Sequence, residues 1–150
     1  MRLLQPNRTP SRRRGAALVE IALVLPIFFA VILGIIEFGR AMMVGQLVTN
    51  AAREGARLAV VGDSTNAIVT QSIRDFLSQA ANISPDLVTV TITVDPFPGN
   101  PPVAGNQISG ASSRDLVTVT VEVPFSDVSF LPPTYLSQTR LTGRSSMRYE

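Results

Sequence analysis

From Ile21 to Ile36 every residue is apolar, glycine or proline. Widened to Ala16 through Phe38, AALVEIALVLPIFFAVILGIIEF, the run can cross the hydrocarbon core of a bilayer as a helix, for which about 20 apolar residues suffice. At about 1.5 Å of rise per residue it reaches roughly 34 Å. One residue in it is a misfit. Glu20 is a carboxylate near the N-terminal end of the span, and a charge in hydrocarbon is costly unless paired, which makes it a functional-site candidate by default. Directly before the run stands Arg12-Arg13-Arg14-Gly15.

Charge is segregated around this segment. All 13 basic residues are Arg, and five of them (Arg2, Arg8, Arg12, Arg13 and Arg14) precede the span without an acid among them. Acids outnumber Arg from Ala16 onward, so the net charge of +2 carries no nucleic-acid signal, and no nucleic-acid partner is expected. The basic block reads instead as a cytoplasmic anchor under the positive-inside rule, with the C-terminal region outside the cytoplasm. Cys and His are both absent. Their absence excludes Ser-His-Asp, Cys-His and Cys- or His-ligated zinc chemistry. No catalytic framework remains, so neither an enzyme nor a cofactor is expected. Asp95, Asp115, Glu122 and Asp127 lie near loops or strand ends without calcium-loop spacing, and no metal site is expected from them.

The 150 residues suffice for one membrane helix and one small domain. Residues 1–15 read as a basic, disordered leader. Residues 16–61 read as one helix of roughly 70 Å with two characters. Residues 16–38 are apolar all round, as suits a lipid-embedded helix. Pro26 removes the backbone bond to the carbonyl of Ala22, which predicts a kink or local loosening. Residues 39–61 are amphipathic: Val44, Leu47, Val48, Ala51, Gly55, Leu58 and Ala59 form a stripe that the charged residues avoid. Glu37 and Arg40 are spaced as an i, i+3 pair closing the span. Ala51, Gly55 and Ala59 are small enough for close approach, either by the chain's own strands or by another subunit.

Residues 62–150 read as an α+β head. Gly62 is placed to end the helix, and Asp63, Ser64 or Thr65 to cap a second helix running to about Ala81. Its expected stripe is Ile68 or Val69, then Ile73, Phe76, Leu77 and Ala80. Leu87 to Val94 and Asp115 to Val123 alternate Val or Ile with Thr or Glu, the period of half-buried strands. The Pro- and Gly-rich stretch from Asp95 to Ser113 reads as an exposed loop, and Phe125 to Tyr135 as a second loop. Ser137 to Tyr149 reads as a third strand, diluted by Gly143. The amphipathic helix and the second helix are the available cover for the apolar face of the sheet.

RRRGAALVEIALVLPIFFAVILGIIEFGRAMM, TNAAREGARLAVVGD and the closing SMRYE resemble the TadE-like family, minor pseudopilins of the tight-adherence (Flp) type IVb pilus. The layout resembles the type IV pilin-like fold: a long N-terminal helix packed on a small antiparallel sheet. The resemblance implies cleavage after Gly15 by a prepilin peptidase, with Arg12, Arg13 and Arg14 holding the leader at that enzyme. Ala16 then becomes the new N-terminus and Glu20 its fifth residue. Ile21 departs from the aromatic residue often found there. The implied location is the inner membrane, and possible incorporation in the pilus is left open. The implied partners are other pilins and pseudopilins, the assembly platform, the pilus ATPase and a secretin. The alternative is an unprocessed, single-pass membrane-anchored binding module of the cell envelope.

Overall fold

The structure is a computed structural model that describes residues 11–61, 63–129 and 139–150; for residues 11–14 and 127 it describes the backbone alone. The expected cap Gly62 therefore lies outside the described residues, as do the side chains of Arg12, Arg13 and Arg14. Helix α1 spans Ser11–Val60 and is continuous through Pro26. It begins at Ser11, so the last residues of the expected disordered leader are helical. Extending an established helix costs far less than nucleating one, and Arg is a good helix former.

Contacts divide the chain between Ile36 and Glu37. In the first unit the helix buries nothing: Leu18, Leu23, Ile27, Phe28 and Ile35 all stand exposed. Such a surface is stable only in an apolar surrounding. Among the described residues this is the one helix long and apolar enough to cross a membrane.

The second unit, Glu37–Glu150, has its own core. From α1 it takes Val44, Val48, Ala51, Ala52, Ala56, Ala59 and Val60, all buried, which widens the expected stripe. Helix α2 (Asn66–Ala81) starts at Thr65, whose hydroxyl accepts from the Ile68 N–H. It ends at Asn82, which takes the left-handed conformation at φ 54 and returns its N–H to Leu77 and Ser78 carbonyls. Val69, Ile73 and Leu77 face inward. Phe76, expected in this stripe, is 40% exposed. Successive residues on a helix point about 100° apart, so burying Leu77 turns Phe76 to the side.

Strands β1 (Thr89–Asp95), β2 (Leu116–Pro124) and β3 (Arg140–Arg148) form one antiparallel sheet in that order. Strand β1 starts two residues later than expected because Pro85–Leu87 forms a 3-10 turn. Central β2 directs Val117, Val119, Val121 and Val123 at the helices, each with no solvent exposure. Helices on one face and solvent on the other make two layers around one core. Thr118 lies on the other face yet is buried, its hydroxyl 2.8 Å from that of Ser146. The stretch after β1 is more ordered than an exposed loop. It contains two 3-10 turns and sends Ile108 into the core at 1% exposure.

Gly143 sets how closely the layers approach. It pairs with Val121 in the sheet, and a Cβ placed on it would lie 2.5 Å from the Val48 carbonyl oxygen and 2.7 Å from the Thr49 nitrogen. The residue that weakens β3 as a sequence pattern is the one that allows β3 to rest on the backbone of α1. Gly55 does the same for α2 less severely: a Cβ there would meet the Ile73 Cδ1 at 2.5 Å and the Val119 Cγ1 at 3.4 Å. The small-residue stripe of α1 is thus occupied by the chain's own α2 and β2.

Candidate functional site

Gly15, Ala16 and Glu20 lie on one continuous stretch of α1, exposed, with nothing within 4 Å of a Cβ built on Gly15. Ala16 and Glu20 are four residues apart, about one helical turn, or roughly 6 Å along the axis. Apolar residues follow it, which leaves Glu20 as the one carboxyl near the N-terminal end of the span. A carboxylate on an apolar helix is costly in hydrocarbon unless a cation pairs with it.

Further along, Arg40 Nε donates to the Val128 carbonyl oxygen, and Val128 is buried. Arg40 thereby ties α1 to the turn that follows β2, a role its expected partnership with Glu37 did not suggest. Glu37 is half-buried. Arg57 and Glu54 form an exposed ion pair at 2.5 Å, which solvent screens.

Among the acids near loops, Asp115 is the organised one. Its Oδ1 accepts from the Asn100 side chain at 2.6 Å and the Phe97 N–H at 2.8 Å, and its Oδ2 accepts from the Ser112 N–H at 2.8 Å. The carboxylate is buried and staples both ends of the loop between β1 and β2. Asn66, the first residue of α2, holds the loop's middle. It donates to the Asn106 carbonyl at 2.9 Å and accepts from the Ile108 N–H at 2.8 Å. Among the described residues no three Asp, Glu, His or Cys side chains are grouped to hold a metal ion.

The Asn100 amide, followed by the Ser112 and Phe97 N–H groups, holds the Asp115 carboxyl below the usual carboxylate range. A depressed folded-state value adds stability that is present above the unfolded value of about 4 and disappears as the pH falls through the folded one. The head is therefore expected to lose stability below about pH 4. In Asp115→Ala that part of the acid dependence should be flattened, and an acid titration followed by circular dichroism reads it. Sequence reasoning weighed Asp115 only as a metal ligand. The signal for its actual role, three donors drawn from positions 97, 100 and 112, exists only once the loop has closed.

A long helix, apolar in its N-terminal part, with a short helix and a three-stranded antiparallel sheet, defines an α+β, pilin-like fold. A family model described as TadE-like protein matches residues 15–57, the same family that the sequence motifs resemble. The match supports a relation to tight-adherence pilus proteins over that stretch, and the apolar helix fits a single-pass membrane anchor. The matched residues all lie on α1, so the sheet is outside the match. Neither a curated protein nor a solved structure matches the chain.

Proposed function

We propose that the protein is a minor pseudopilin of the tight-adherence pilus, a structural and assembly subunit without catalytic activity. In this reading a prepilin peptidase cuts after Gly15 and removes the basic leader of residues 1–15. The anchor of residues 16–38 crosses the inner membrane with its N-terminal side in the cytoplasm. The head, residues 62–150 packed on the amphipathic residues 39–61, lies outside. Its partners are other pilins or pseudopilins and the assembly platform.

The observation that carries this reading is the joint occurrence of Arg12-Arg13-Arg14-Gly15, Glu20 and the exposed apolar helix within and beside the TadE-like match. Cleavage would create an α-amino cation at Ala16. In an assembly, Glu20 of one subunit pairs with the freed terminus of a neighbour. A wrong stagger between helices leaves both charges unpaired at low dielectric, which penalises every register but one. The apolar surface itself contributes little to that choice, because lipid is as apolar as a neighbouring helix. Packing, the Glu20 pair and an external motor must supply the drive.

The N-terminal residue of the protein recovered from membranes tests the proposal. Ala16 is the expected result. An intact Met1 would instead identify an unprocessed anchored module, and a start beyond Ile36 would identify a secreted protein.

A further inference from the structure

The face of the sheet turned away from the helices is hydroxyl-rich and carries a column of guanidinium groups. Arg140, Arg144 and Arg148 alternate along β3 and are exposed, with Thr142 and Ser146 between them. At about 3.4 Å per residue the neighbouring Arg positions lie roughly 14 Å apart. Arg140 is neutralised by Glu122 at 3.4 Å. Arg144 and Arg148 have no carboxylate within ion-pair distance among the described residues, and neither has Arg114.

Arg114 and Arg148 converge. The Arg114 guanidinium lies over the Phe97 ring at 3.8 Å, and that of Arg148 lies 5.9 Å from the same ring. Arg148 Nη1 also donates to the Arg114 carbonyl at 3.2 Å. Arg114 itself sits at φ 76, a left-handed conformation unfavourable for a side chain of this kind. It is held there by its N–H to the Tyr149 carbonyl at 2.8 Å. The fold thus keeps two like charges together at one end of the face, on a unit in which acids outnumber Arg overall.

The surroundings narrow the partner. Among the described residues the exposed large hydrophobic ones lie on α1, at Val61 and on α2. Among the described residues the face carries one half-buried large apolar side chain, Leu116 opposite Arg148, and no exposed one, too little for the apolar centre of a protein interface. Among those residues it equally has no exposed apolar edge to insert among lipids. Phe97 is already covered by Arg114 and offers no stacking platform for nucleobases. What remains is recognition by fixed guanidiniums, which pair bidentately with carboxylates, and by threonine and serine hydroxyls. We propose that this face, centred on Arg144 and Arg148 with Arg114 beside them, binds an anionic polysaccharide.

The test is binding of the detergent-solubilised full chain to polygalacturonate, with uncharged dextran, single-stranded DNA and phosphatidylglycerol vesicles as comparisons. Polygalacturonate should bind best, and more weakly as salt rises. The Arg144→Gln/Arg148→Gln double variant should lose about tenfold or more in affinity and much of the salt dependence, while Arg53→Gln on α1 should bind as the parent does. The Arg144 side chain makes no hydrogen bond or ion pair among the described residues, so Arg144→Gln alone separates lost binding from lost folding and should still weaken the complex. Undiminished binding by the double variant, or by Arg144→Gln in a folded chain, overturns the proposal. So does an equal loss in Arg53→Gln, or tighter binding to DNA or vesicles than to polygalacturonate.

Discussion

Gly143→Ala is expected to lift β3 off α1 and to cost the head about 3 kcal/mol, the upper part of the range for overpacking. The new methyl group would stand 2.5 Å from the Val48 carbonyl oxygen and 2.6 Å from its carbon. Both atoms belong to helix backbone, which cannot turn aside as a side chain can. Relief requires the strand or the helix to move, and Gly143 is paired with Val121, whose side chain is buried in the core. For a domain of this size 1 kcal/mol corresponds to about 4 °C, so the melting temperature of the solubilised chain should fall by about 10 °C or more. Gly55→Ala is the informative comparison. Its nearest obstacle is the Ile73 Cδ1, the far end of a side chain that can change rotamer. That variant should lose about 1 kcal/mol. Equal losses at the two positions would show that the approach of β3 to α1 is not what limits packing.

Gly15→Phe is expected to abolish shortening of the chain altogether while leaving the head as stable as before. A Cβ at Gly15 meets nothing within 4 Å, and the residue lies in the unit that shares no core with the sheet. Under the proposed processing, any effect on chain length therefore reports on recognition by the peptidase rather than on folding. Mass measurement of the membrane-extracted protein reads the first half of this expectation, and thermal unfolding the second. A chain still shortened to Ala16 would mean that the cut does not depend on glycine at position 15. Glu20→Ala should leave processing and head stability alone and suppress filament formation. Unaffected filaments would remove the role of Glu20 in setting register between helices.

What could be read from the residues was whatever repeats along one element. Sixteen apolar, Gly or Pro residues from Ile21 to Ile36 predict a lipid-embedded helix whatever follows them. The Val alternation of β1 and β2, the helical stripe of α1 and the end of α2 near Ala81 are local signals, and each appears in the fold near its expected place. The proposed processing motif, too, is contiguous. Three things were decided only by tertiary structure, because each depends on residues far apart in the chain. Gly143 reads as a flaw in a strand until Val48, 95 positions earlier, is brought against it. Asp115 reads as a stray acid until the loop returns Phe97, Asn100 and Ser112 to its oxygens. Arg114 and Arg148 are separate charges until antiparallel pairing seats both beside Phe97. Periodicity reports which side of an element is buried; which partner fills that side is settled by packing across the two layers.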